Sequence, residues 1–210
     1  MTETHTTVIT ISRQMASGGA YIGHLIAKKL GYAYVEREVL YRAARDLGGD
    51  ITDVSRQDEK ESGFVENLLK SFVFGTPEAA YVPPSRRPVY DEELFKTETH
   101  IMRLIAEQQN AVIVGHAGFA VLRGRQNLFN VFIHAPKEFR GKRLKEFHMM
   151  SAEQALAEIE ESDDCRERFL RTMAGSDWYD ARNYHLSIDA QATGFEAAAD
   201  MIMAFVAKMK

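Results

Sequence analysis

The run Val8–Gly31, VITISRQMASGGAYIGHLIAKKLG, constrains the fold of this chain more than any other stretch. Val8, Ile9 and Ile11 form a short β-branched run suited to a buried strand. Ile22, Leu25, Ile26 and Leu30 then recur at the three-and-four spacing of one helix face, and Gly31 ends it. Gly18 and Gly19 stand at the turn between the two. Glycines there let backbone N–H groups approach a ligand closely, and a helix N-terminus aimed at the same point favours anions, phosphate above all. The predicted unit is strand, tight loop, helix.

The usual phosphate loop, G-x-x-x-x-G-K-[ST], brings its lysine to the outer phosphates and its hydroxyl to magnesium. Counted back from Leu30-Gly31 with the spacing of nucleoside monophosphate kinases, this chain has Arg13, Gly18, Gly19 and Ala20 at the four defining positions. Only the second glycine is kept. By itself the loop reads equally well as a bare glycine turn.

Downstream, helical and strand patterns alternate. Tyr32 to Val35 predicts a second strand, and a helix from Glu36 to Ala44 is closed by Gly48-Gly49. Residues 50–91 are the least regular section. Phe64, Val65, Leu68, Leu69, Phe72 and Val73 pair one helical turn apart, and Gly75 to Pro88 holds four of the five prolines with Arg86 and Arg87, which predicts a loop or flap. A helix from Asp91 leads to the apolar strand Ala111–Val114, followed by Gly115-His116-Ala117-Gly118. Phe129 to Ile133 is the next strand, then a basic helix over Lys137–His148, a helix capped by Ser151, another over Asp163–Met173, a fifth strand over Tyr184–Ile188, a loop over Asp189–Thr193 and a closing helix from Phe195.

Five strand candidates separated by helices imply one doubly wound α/β domain over residues 1–210 with a parallel sheet. That length buries a core without staples, and the single cysteine, Cys165, excludes an internal disulfide. The net charge of −4 opposes a general nucleic-acid binder, and no apolar run nears the roughly 20 residues a membrane span needs. The expectation is a cytoplasmic protein with no nucleic-acid or membrane partner. Seven scattered histidines lack metal-ligand spacing, so no protein-held metal site is expected.

Ile11-Ser12-Arg13-Gln14 with Ser17-Gly18-Gly19, Ile22-Gly23 and Leu30-Gly31 resembles the cytidylate kinase-like family of P-loop proteins. Ala111–Gly115, Val131–Pro136 with Arg140 and Arg143, and Gly175–Trp178 with Tyr184–Ile188 follow in the family's order. The resemblance implies strand order 2-3-1-4-5, an acceptor-side insertion over 50–91 and a helical lid over 137–175. It implies transfer of the terminal phosphoryl group of ATP, with magnesium arriving on the nucleotide, to CMP, dCMP or a similar small acceptor. The alternative is a catalytically silent nucleotide-binding protein with an interaction or regulatory role. Gly19, Ala20 and His116 favour that alternative.

Under the resemblance, Arg13, Gln14, Ser17, Gly18 and Gly19 hold the ATP phosphates, and Ser12 or Ser17 is the nearest hydroxyl for magnesium. Arg13, Arg140, Arg143 and Arg166 supply catalytic charge, the last within a D-x-x-R begun by Asp163. Glu36, Arg42, His116, Arg86 and Arg87 face the acceptor. Each has a plainer reading. Arg13 could bridge to Glu36, Glu36 and Arg42 could lie on a solvated helix, His116 could be a polar loop residue, and the segment with Arg86 and Arg87 could be an arm of a homodimer.

Overall fold

The computed structural model describes residues 6–36, Leu40 and residues 92–209. Of the helix expected over Glu36–Ala44, Glu36 instead ends a strand and the rest, with Arg42, lies outside the described residues apart from Leu40, as do the 50–91 insertion and its Arg86 and Arg87.

Chain order is β1 (Val8–Arg13), α1 (Gly19–Leu30), β2 (Ala33–Glu36), α2 (Glu92–Gln108), β3 (Ala111–Val114), α3 (Gly118–Val121), β4 (Leu128–His134), α4 (Lys137–His148), α5 (Ala152–Ala174), a 3-10 turn (Ala181–Asn183), β5 (Leu186–Asp189), α6 (Ala190–Thr193) and α7 (Phe195–Met209). The five strands are ordered β2-β3-β1-β4-β5, and each neighbouring pair is parallel. This is the expected 2-3-1-4-5 sheet. Val8 stands level with Ala111 of β3 and Leu128 of β4, so the central strands start in step and end at a common edge.

Alternation along the strands feeds two cores. Val8, Ala111 and Ile113 face Ile101, Met102 and Ile105 of α2. Ile9, Ile11, Val112, Val114, Val131 and Ile133 face Ile22 and Ile26 of α1 with Ala198, Ile202 and Val206 of α7. With both faces covered, the strands read as continuous apolar runs. Gly23 is where α1 sits down on the sheet: an added Cβ would lie 2.8 Å from the Val114 side chain.

Two local expectations change. The helices expected separately after Ser151 and from Asp163 are one, since neither glycine nor proline interrupts residues 152–174. Ser151 and Gln154 open α5 with a reciprocal capping box, and Gly175 at φ 57° closes it. Residues 189–193, expected as a loop, coil into the short α6 because the Asp189 carboxylate accepts from the N–H groups of Gln191 and Ala192.

Candidate active site at the phosphate loop

The loop between β1 and α1 is bound to the sheet edge by its own polar groups. The Gln14 N–H donates to the Ile133 carbonyl at 3.0 Å. Ser17 is fully buried, and its hydroxyl donates to the carbonyls of Gln14 at 2.9 Å and Ile133 at 3.3 Å. That hydroxyl, expected on a phosphate or magnesium, closes the turn from inside. The Gln14 side chain accepts from the Ala135 N–H at 3.3 Å. It also bonds to Tyr179, whose phenol burial pushes up while that bond opposes the shift.

Gly18 precedes α1 at φ 88°, a left-handed conformation, and an added Cβ would lie 2.4 Å from the Phe195 ring. Ala16, at φ 58°, also holds the left-handed region with a side chain attached. Its carbonyl accepts from Arg143 Nε at 3.2 Å, and the Arg143 guanidinium carbon lies 4.5 Å from the Phe195 ring centre. Arg143 thus ties α4 to the loop and to the start of α7.

Arg13 accounts for two glycines. A Cβ on Gly19 would sit 2.4 Å from Arg13 Cβ, and one on Gly115 would sit 2.0 Å from Arg13 Nη1. The arginine stem therefore crosses the position where a phosphate loop carries lysine, and its guanidinium rests at the carboxyl end of β3. The missing side chain at Gly19 and the arginine that ends β1 are one feature.

Arg140, expected to reach over the transferred group, has a side chain only 7% exposed. Its Nε donates to the Ala135 carbonyl at 2.9 Å, and one Nη donates to Asp163 at 2.6 Å and to the Met15 carbonyl at 3.3 Å. Asp163 accepts in addition from the Met15 N–H at 2.8 Å and from Arg166 at 3.2 Å. One buried carboxylate thus joins α4, α5 and both sides of the Met15 peptide through its partners. In the sequence Asp163 stands out only as part of a motif. Its position three residues before Arg166, with both on one helix face, was the available signal. Phe195 begins the closing helix, and nothing in its surroundings in sequence marks it as the ring above Gly18.

At the other side of the site, the Glu36 carboxylate accepts from the Tyr34 hydroxyl at 2.8 Å, and Tyr34 also donates to the Ala20 carbonyl at 3.2 Å. The His116 ring is turned inward at φ 53°, its side chain 5% exposed and Nδ1 3.1 Å from a Glu98 oxygen on α2. Its ring meets Phe169 of α5 edge-on. The Ser12 hydroxyl bonds to Tyr184, whose phenol burial raises. With Ala20 in the first turn of α1, the described loop aims no hydroxyl at the usual magnesium position, and no group of three metal-ligating side chains occurs among the described residues.

Residues 8–192 match the sequence pattern of the cytidylate kinase-like family. The chain belongs to that family. In three dimensions it resembles an uncharacterized protein from Eubacterium ventriosum ATCC 27560 with a TM-score of 0.72 at 19% identity, over 96% of this chain and 98% of the other. It resembles a gluconokinase from Sinorhizobium meliloti 1021 with a TM-score of 0.55 at 15% identity, over 97% and 93%. A shikimate kinase from Bacteroides thetaiotaomicron aligns with a TM-score of 0.51 at 12% identity, over 95% and 98%. No curated protein matches the sequence. At these identities the structural likeness establishes the P-loop kinase fold, and the family match establishes the kinase-like class. No helix among the described residues is long and apolar enough to cross a membrane.

Proposed function

We propose that this cytidylate kinase-like protein is a nucleotide-dependent phosphotransferase that moves the terminal phosphoryl group of ATP to CMP, dCMP or a similar small acceptor. The observation that supports the reading is the path of Arg13, whose stem lies against Gly19 and whose guanidinium reaches Gly115, beside the loop that lacks a lysine. The amides of Gly18 and Gly19 at the start of α1 bind the donor phosphates, and Arg13 meets the charge that develops on the bridging oxygen. The bond from that oxygen to the terminal phosphorus breaks as an acceptor oxygen bonds to it, and ADP leaves. Arg143 and Arg166 come from a lid formed by α4 and α5, and Glu36 borders the acceptor side; His116, expected there, is buried against Glu98 instead.

Arg140 and Asp163 are positioning residues in this scheme, because their bonds run to the loop backbone rather than outward. The loop does not fit a protein-held magnesium ion, so no step runs through one. Magnesium enters as the counter-ion of ATP. The same missing hydroxyl, with His116 turned toward Glu98, favours a second reading in which the protein binds nucleotide without turnover.

Affinity and turnover of the Arg13→Ala variant test the scheme. Loss of a charged hydrogen bond worth about 1.5–3 kcal/mol should weaken ATP by roughly ten- to a hundredfold while AMP changes little. Equal, unchanged affinities for ATP and AMP would remove Arg13 from the site. Tight ATP binding with no coupled turnover on any nucleoside monophosphate would select the non-catalytic reading.

A further inference from the structure

A cavity of about 450 Å³ opens at the amino ends of β4 and β5, the sheet edge opposite the phosphate loop. Arg123, Arg125, Arg182, Asn130, Asn183 and His185 line it. The volume is that of a small-metabolite pocket.

Arg123 and Arg125 differ from Arg140 beside the phosphate loop in what they lean on. Arg123 donates to the Ser176 hydroxyl at 3.2 Å and the Asn183 side-chain oxygen at 3.3 Å, both neutral. Arg125 donates to the carbonyls of Thr6 at 2.9 Å, Gln126 at 2.6 Å and Ala106 at 2.6 Å, and to the Thr6 hydroxyl at 2.5 Å, again all neutral. Among the described residues neither is hydrogen-bonded to a carboxylate. Burial lowers the Arg125 guanidinium from its ordinary value, with the Glu107 charge opposing, as befits a cation held by dipoles. Arg182 is paired with Asp180, whose carboxyl the guanidinium and backbone N–H of Arg182 hold down at about 2.

The other polar groups also present donors. His185 Nδ1 accepts from the Asn130 N–H at 2.8 Å, which leaves Nε2 as the donor of the neutral ring. The Asn130 side-chain oxygen is taken by the Thr10 hydroxyl at 2.8 Å, and its amide nitrogen donates to the Asn183 carbonyl at 3.3 Å. A concave site with two guanidiniums uncompensated by hydrogen-bonded carboxylates and a lining of donors selects oxyanions.

We infer that this cavity is a second, separate binding site for a small polyanion carrying phosphate or carboxylate groups. Its place at the opposite sheet edge separates it from the donor and acceptor of phosphoryl transfer. Its occupant is therefore an effector and not a reactant. Arg123 also braces Ser176, the residue just beyond the end of α5, so an anion drawing on that guanidinium acts on the far end of a helix whose middle holds the phosphate loop.

Titration of the full chain with inorganic phosphate and, separately, citrate, followed by amide NMR shifts, tests the inference. The amides of Asn130, Asn183 and His185 should shift saturably at concentrations up to about 10 mM, tenfold above a 1 mM dissociation constant. The amides of Gly18 and Gly19 report the phosphate loop in the same spectra. In the double variant Arg123→Gln, Arg182→Gln, the far-edge affinity should fall at least tenfold while the Gly18 and Gly19 response to phosphate is retained. Arg125 is left in place because it holds the Thr6 and Ala106 backbone. Citrate moving the far-edge amides and phosphate not would identify carboxylates as the ligand class, and the reverse would identify phosphates. No saturable shift with either anion overturns the site, and so do far-edge shifts that persist undiminished in the double variant.

Discussion

Arg140 at the carboxyl edge of the sheet and Arg123 and Arg125 at the amino edge are held in opposite ways. At the carboxyl edge, Arg140 is buried against Asp163, and the same carboxylate holds the Met15 N–H and Arg166. At the amino edge, Arg123 and Arg125 rest on neutral oxygens around an open cavity. A guanidinium neutralised by a buried carboxylate is an anchor, because separating the pair strands a charge. One supported only by dipoles keeps most of its field and attracts an anion. Counting arginines therefore does not find the site; the partner of each one does.

The largest expected effect breaks the anchored pair. Asp163→Ala leaves Arg140 buried without its counter-charge and the Met15 N–H without an acceptor, which should cost about 3–5 kcal/mol in chemical denaturation. Arg123→Gln, at the other edge, should cost about 1 kcal/mol or less, since it removes only bonds to neutral groups. Comparable losses for the two would mean that Arg123 is an anchor as well.

Intermediate in size is the effect of Gly115→Ala, which separates backbone strain from the displacement of Arg13. Gly115 has φ 84° and Gly31 has φ 67°, so alanine should cost either position about 1–2 kcal/mol. A methyl group at Gly31 meets nothing within 4 Å, whereas one at Gly115 lies 2.0 Å from the Arg13 guanidinium. The two variants should therefore melt alike, yet only Gly115→Ala should lose the preference for ATP over AMP. Equal nucleotide binding in both would show that the guanidinium's rest position does not matter to the donor.

Much of the fold could be read from the chain because both sheet faces are buried and the strands carry that fact as apolar runs. Val8, Ile11 and Ala111–Val114 sit where periodicity put them. The strand order followed from family resemblance, since which strands become neighbours leaves no mark on local sequence. The site was less legible. Arg13 and Gly19 stand close in the chain, but that one fills the other's space follows from the course of β1 past α1. Asp163, Phe195 and the Glu98 partner of His116 arrive from helices far along the sequence. The far-edge cavity gave no signal, because Arg123, Arg182 and His185 meet only through the register of β4 and β5.

The smallest expected effect concerns Ala16. At φ 58° an alanine carries roughly 1–2 kcal/mol of left-handed strain, and a glycine substitution removes it. The same substitution frees the unfolded chain and gives back about 0.4–1 kcal/mol. Ala16→Gly should therefore stabilise the protein by about 1 kcal/mol or less, measured by chemical denaturation. The strained residue lies between two tethers, the Asp163 bond to the Met15 N–H and the Arg143 bond to the Ala16 carbonyl. If those tethers hold the loop shape, amide exchange at Met15 should be unchanged in Ala16→Gly and accelerated in Asp163→Asn. Accelerated exchange in Ala16→Gly instead would mean that the local backbone of residue 16, and not the carboxylate on α5, fixes the phosphate loop, and the contrast between an anchored edge and a receptive edge would lose its carboxyl-side half.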